Sequence, residues 1–309
     1  MSPLARTVWR GVAADVVEND ELRVVVLPER GARIASLSVK RSGREWLQPP
    51  RATMLTDPPP FGAVYTDTDH FGWDEMFPTV DPCVVADHCG GEVALVDHGE
   101  VWNRAWTYVG GEGEVLVHAI ESDVFPARLV RRLRLCSRTL HLEYALSSSS
   151  DIGFGFLWAA HPQFVCAGGT TISIEPPPES VIDVTAGDVA VERSWRGPLR
   201  IEDDLAPGSD RMIYVPPGAQ ARAVRLEAPG GAWLRVSWDG AALPYLGIWL
   251  DRGRRTTGQV VAVEPTTAYY DSLARAGRLG RVGVLAPGET RRWWLTAEVG
   301  ERGETWTSS

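Results

Sequence analysis

The stretch Arg131-Arg-Leu-Arg-Leu-Cys-Ser-Arg-Thr-Leu-His-Leu-Glu-Tyr-Ala-Leu146 decides the fold. Leu133 and Leu135 alternate with Arg132 and Arg134. Leu140, Leu142, Tyr144 and Leu146 alternate with His141, Glu143 and Ala145. A period of two sends apolar side chains to one face of a strand and polar ones to the other. Cys136-Ser-Arg-Thr139 then turns the two runs into a hairpin. The same period recurs at Leu234, Val236 and Trp238, and again at Trp293, Leu295, Ala297 and Val299. Val24 to Leu27 and Val260 to Val263 are unbroken apolar runs, which suit central strands buried on both faces. Turn residues separate the runs, among them Pro28-Glu-Arg-Gly31, Pro216-Pro-Gly218, Asp239-Gly240 and Pro287-Gly288. No amphipathic helix of twelve residues is visible, and Ala268 to Ala276 is the best short one. The expectation is all-β: one domain over residues 1–309, built from two large packed antiparallel sheets.

Composition narrows the function. A formal net charge of −9 with no basic run argues against nucleic acid and against anionic membranes. No run of 18 apolar residues exists, and Met1-Ser-Pro-Leu-Ala-Arg6 lacks a secretory pattern, so a cytoplasmic location is expected. Lys40 is the only lysine among 31 basic residues and sits in a turn-like Val-Lys-Arg-Ser-Gly-Arg, which argues against imine chemistry. Cys83, Cys89, Cys136 and Cys166 form no CxxC pair and read as buried thiols, not as a disulfide framework. Neither HExxH nor paired-Cys spacing is present, so neither metal nor cofactor is expected. GxSxG is absent too.

Two segments carry chemistry. Trp158-Ala-Ala-His161-Pro162 and Val263-Glu264-Pro265 each end an apolar stretch with one titratable residue before a proline, which forces that residue into extended backbone. An imidazole and a carboxylate on strand ends are the minimum for general acid–base catalysis. His70, beginning His70-Phe-Gly-Trp-Asp74-Glu75-Met-Phe-Pro78, and His98, in Asp97-His98-Gly99-Glu100, also sit among aromatics, glycines and prolines. His88, His118 and His141 read as surface or edge residues. Thirteen tryptophans are present, and Trp73, Trp102, Trp106, Trp158 and Trp249 flank these polar residues. Large rings either fill a core or stack on a sugar ring, and the sequence alone leaves both open.

Together these segments resemble the aldose 1-epimerase (galactose mutarotase-like) family, nearly end to end. The resemblance rests on Leu22–Leu37 with Gly43–Leu47, Phe71–Thr79, Asp97-His98-Gly99, Trp158–Phe164, Val263-Glu264-Pro265 and Leu285–Glu289. It implies a β-supersandwich and interconversion of the α and β anomers of a free aldose. It implies His161 as general acid, Glu264 as general base and a sugar ligand at His98. Trp73, Asp74, Glu75, Arg104, Trp158 and Trp249 are further candidates for sugar contact. Asp97 and Glu100, and Gln163-Phe164 after the acid, depart from the family pattern. Its sugar-binding aspartate falls among Asp210, Asp251, Asp74 and Glu75. His161 and Glu264 are expected to flank one cleft with room for a pyranose between them. Three rivals stand: a sugar-binding protein without turnover, a glycoside hydrolase or lyase using Asp74 or Glu75 beside Glu264, and an enzyme for phosphorylated sugars gripped by Arg33 or Arg104.

Overall fold

A computed structural model describes residues 5–86, 91–111, 115–186 and 189–302. His88 and Cys89 lie outside the described residues. The opening hairpin forms as the alternation predicts. Ala127–Cys136 pairs with Thr139–Ser148 in continuous antiparallel register, from Ala127 opposite Ser148 to Cys136 opposite Thr139. Ser137, in the two-residue turn, takes φ 51°.

Two sheets dominate, one of twelve strands and one of eight. The middle of the larger sheet runs, neighbour to neighbour, through Arg33–Val39, Trp73–Met76, Ala159–Cys166, Gln259–Thr266, Tyr245–Arg252 and Asp210–Tyr214. The apolar runs fall where expected. Val24–Leu27 and Val260–Val263 are buried and lie inside this sheet, not at its edges. One apolar cluster joins the sheets, with Leu133, Leu135, Leu140 and Leu142 from the smaller and Ile34, Ile248, Val261 and Val263 from the larger. Each such side chain contributes ~1.5–3 kcal/mol on burial, so this interior is the main force holding the sheets together.

Between them, the faces of the larger sheet have different jobs. Trp73 and Glu75 point inward, and Glu75 meets Arg131 and Tyr144 of the smaller sheet. Neighbouring residues on a strand point to opposite faces. Asp74 therefore points outward, away from the smaller sheet, and the site is built on that outer face.

Two expectations are corrected. The helix over Ala268 to Ala276 is instead Leu273–Arg278, because Ser272 supplies its N-cap by accepting from the Arg275 amide. His118 is not a surface residue. It is buried, and its Nε2 lies 2.9 Å from Asp15. Lys40 is exposed in its turn, and Cys83, Cys136 and Cys166 are free; of these only Cys166 is buried, whereas Cys83 is half-buried and Cys136, at the tip of its hairpin, is exposed. Among the described residues no helix is long and apolar enough to cross a membrane.

Candidate active site

The site is a row of residues that cross-strand register puts side by side. Asp74 stands opposite His161. His161 and Glu264 lie between the pairs Ala159–Thr266 and Gln163–Ala262 of adjacent strands, so they face each other across the ladder. Pro162 and Pro265 cannot donate to that ladder, and it is interrupted between those two pairs. Glu264 in turn stands opposite Gly247, and Gly247 opposite Tyr214. Gly247 leaves the row open beside Glu264. A Cβ there would come within 2.7 Å of the Met212 methyl and 3.4 Å of Glu264 Oε2.

His161 is held from behind. Its Nδ1 lies 3.0 Å from Asp74 Oδ1. Arg33 Nη2 donates to Asp74 Oδ2 at 2.6 Å and the Tyr65 hydroxyl donates to the same oxygen at 3.0 Å. The Tyr65 hydroxyl accepts from Gln163 Nε2 at 2.9 Å. With its other proton partners fixed, Asp74 accepts Nδ1–H and leaves His161 Nε2 as the working nitrogen, 3.8 Å from Glu264 Oε1. Glu264 has no hydrogen-bond partner among the described residues.

These contacts set the charges. Burial alone would raise Asp74, but Arg33 and the His161 hydrogen bond outweigh it and hold the carboxyl at about 2. Burial pushes Glu264 well above the usual glutamate range, helped by Asp271 and Asp74. Burial pushes His161 down, and Asp74 opposes that. Burial thus disfavours the charge on both groups, and two neighbours this close titrate as a coupled pair.

Loops complete the pocket. Tyr65 opens a single 3-10 turn, Tyr65–Asp67, and its ring stacks on His98 at 3.9 Å, within 1° of parallel. Asp97 orients both: Oδ2 accepts from the Tyr65 amide at 2.7 Å and Oδ1 lies 2.8 Å from His98 Nδ1. That leaves His98 Nε2 for a ligand. The backbone here admits only glycine next to His98. Gly99 has φ 72°, and a Cβ would sit 2.0 Å from the Phe77 carbonyl oxygen. The resulting pocket is about 190 Å³ and is lined by His70, His98, His161, Asp210, Trp249, Glu264 and Asp271 among others. A larger hollow of about 500 Å³ beside Val85, Phe154, Leu273 and Val282 is apolar apart from Arg278 and holds no acid–base pair.

Of the residues predicted to form the site, His161, Glu264, His98 and Trp249 meet in this pocket. Others do not. Trp73 and Trp158 are fully buried in the interior, against Phe164 and against Tyr144 and Trp293. Their size, which suggested stacking on a sugar, serves the core instead. Glu75 faces the smaller sheet, 3.1 Å from Arg131 Nη1. Arg104 is tied to Glu100 at 2.9 Å and Asp123 at 2.8 Å, away from the pocket. Asp74 supports His161 and is itself fully buried, so it offers no free oxygen to a sugar. Asp251 accepts from the amides of Gly253, Arg254, Arg255 and Thr256 and anchors that turn. Asp210 does line the pocket, with Arg254 Nη1 at 2.6 Å. His161 and Glu264 are neighbours, not walls on either side of a pyranose; a ligand has to lie across both. Tyr65 and Asp271 were missed. Tyr65 lies in Val-Tyr-Thr-Asp-Thr-Asp-His70, where no periodicity marks it. Among the described residues no cluster of three or more His, Cys, Asp or Glu suits a metal.

No protein-family model matches the sequence, and no curated protein does. Solved structures do match. A protein from Synechocystis sp. aligns over 98% of this chain and 99% of its own, with TM-score 0.74 and 19% identity. The chain has the galactose mutarotase-like fold. A galactose mutarotase-like protein from Lactobacillus casei aligns over 93% of this chain and all of its own, with TM-score 0.70 and 16% identity. A galactose mutarotase related enzyme from Lactobacillus acidophilus covers 93% of this chain and 97% of its own, with TM-score 0.69 and 15% identity. The two large antiparallel sheets expected from the alternating strands, and the β-supersandwich that the resemblance implies, are thus present.

Proposed function

We propose that this chain is a mutarotase that interconverts the anomers of a free, uncharged aldose. One observation carries the reading: His161 Nε2 and Glu264 Oε1 stand 3.8 Å apart on one pocket wall, neither saturated by the protein. The two atoms that exchange protons in ring opening, the anomeric hydroxyl and the ring oxygen, are both bonded to the anomeric carbon. A donor and an acceptor side by side match that spacing better than groups on opposite walls.

Glu264 takes the proton from the anomeric hydroxyl while His161 Nε2 gives one to the ring oxygen. The C–O bond to the ring oxygen breaks and leaves an aldehyde. Rotation about the C1–C2 bond and closure on the other face, with both protons returned, invert the anomeric centre. Asp74 stabilises the imidazolium from behind, and each group contributes on the order of 10²–10⁴ in rate. His98 Nε2 and Asp210 are placed to hold sugar hydroxyls, and the Trp249 ring lines the same space. At about 190 Å³ the pocket falls below the usual range of roughly 300–1,000 Å³ for drug-sized ligands, as suits one sugar ring.

The rivals lose their residues. A hydrolase pairing Glu264 with Glu75 or Asp74 finds the first on the other face and the second already accepting from three donors. For a phosphate, Arg33 and Arg104 are both spent on carboxylates elsewhere, and the pocket presents Asp81, Asp210, Glu264 and Asp271 against the single Arg255. Polarimetry of freshly dissolved aldoses tests the reading. Neutral aldoses should equilibrate faster with the protein, their 6-phosphates much less so, and methyl glycosides should remain intact. Release of methanol from the glycosides would favour hydrolysis; bound sugar with unchanged equilibration would leave a binding protein.

A further inference from the structure

We infer that His70 binds a hydroxyl of the sugar and so sets which hydroxyl pattern the pocket accepts. This rests on the reading above and extends it to a residue with no part in the proton transfers. His70 is 4% exposed, and neither Nδ1 nor Nε2 has a hydrogen-bond partner among the described residues. Buried polar atoms are almost always satisfied, and an imidazole with both nitrogens bare is an exception that calls for a cause. The ring sits between two aromatic neighbours. It meets the Tyr65 ring edge-on at 4.9 Å and the Trp249 ring at 5.9 Å. It lines the same pocket as His161 and Glu264.

A phenylalanine would fill that space without leaving polar atoms dry, so packing alone does not call for histidine. Burial and the neighbouring His161 bring its pKa down to about 3, which keeps the ring neutral. A neutral imidazole offers one donor and one acceptor. A sugar hydroxyl offers the same two functions and can complete either. Nothing in the proposed acid–base steps uses His70, because Asp74 and Glu264 already partner His161.

The test compares the wild type with His70→Phe and His70→Gln, on the preferred aldose and its monodeoxy analogues. With the parent sugar, His70→Phe should lower kcat/KM on the order of ten- to a hundredfold, mainly through KM. At the one position His70 contacts, the deoxy sugar should be handled equally by wild type and His70→Phe. His70→Gln, which keeps a donor and an acceptor, should recover part of the loss. His70→Phe should melt no lower than wild type. An unchanged kcat/KM in His70→Phe, or a loss equal across all deoxy positions, overturns the inference. A second measurement needs neither turnover nor a folded variant: ring-nitrogen NMR of wild-type protein labelled with ¹⁵N-histidine, titrated with the sugar. His70 signals should move. If those of His98 and His161 move and His70 stays still, this inference fails and the mutarotase reading survives. If His70 moves but anomers never exchange faster, the mutarotase reading fails and the contact stands.

Discussion

Replacing Asp74 with asparagine removes one charge from the centre of the network and leaves its shape. Asp74 accepts from Arg33 at 2.6 Å, and from Tyr65 and His161 at 3.0 Å. An amide in its place leaves the buried Arg33 guanidinium without its counter-charge, since Arg33 is only 4% exposed. Breaking a buried pair from one side costs about 3–5 kcal/mol. The pKa gives an independent figure. Holding a carboxyl at about 2 instead of 3.8 corresponds to ~2–3 kcal/mol of folded-state stabilisation. A depressed carboxyl stabilises above its unfolded pKa, so this share is present above about pH 4 and fades as pH falls toward 2. Chemical denaturation at pH 7 should therefore show Asp74→Asn less stable by ~2–5 kcal/mol, with the gap closing in acid. Catalysis should suffer separately. The asparagine amide can donate to Nδ1, which fixes the wrong tautomer and denies the imidazolium its anion. The analogous change behind a catalytic histidine in serine proteases costs about 10⁴ in kcat. We expect a loss on the order of 10²–10⁴ in anomer exchange at a temperature where the variant is folded. A folded Asp74→Asn protein with exchange within tenfold of wild type would refute the role given to Asp74.

Three further outcomes follow from the geometry. Glu75→Gln should lower stability by roughly 3–5 kcal/mol, because Arg131 is as deeply buried as its partner, while kcat/KM stays near wild type. Gly99→Ala should weaken sugar binding and stability together, since its Cβ would strike the Phe77 carbonyl and displace His98; thermal melts and KM should move in the same variant. The rate should be bell-shaped in pH, with macroscopic limbs that belong to the His161–Glu264 pair. The acid limb reports loss of the Glu264 proton and, because burial raises that group, should lie above 4.5; the alkaline limb reports loss of the His161 proton and, because burial lowers that group, should lie below 6.5; Glu264→Gln should remove the acid limb.

Much of the fold was legible because half-buried strands leave a period of two in the sequence. The hairpin from Ala127 to Ser148 shows this residue by residue. The proposed acid and base drew attention because a proline follows each, but neither proline marks a strand end: His161 lies within the strand Ala159–Cys166 and Glu264 within Gln259–Thr266, and both strands run on past the proline. Facing was harder. Asp74 and Glu75 are adjacent and equally acidic, and only recognising Trp73–Met76 as a strand shows that one must face the site and the other the interior. Trp73 and Trp158 misled because a large ring satisfies a core and a sugar equally well on composition. Tyr65 left no local signal; its importance comes from contacts with Asp74, Gln163 and His98, which the chain brings together from far apart. Arg33 did leave one, a lone cation opening the mostly apolar strand Arg33–Val39, and such a residue, once buried, requires a partner.

Two-dimensional exchange NMR on an equilibrated aldose measures the central claim most directly, because it reads α-to-β conversion without perturbing the mixture. Wild-type protein should raise the exchange rate in proportion to its concentration, and His161→Asn and Glu264→Gln should each remove that increase by a factor on the order of 10² or more. Sugar that binds with no rise in exchange, or exchange that survives both substitutions in folded protein, would contradict the account.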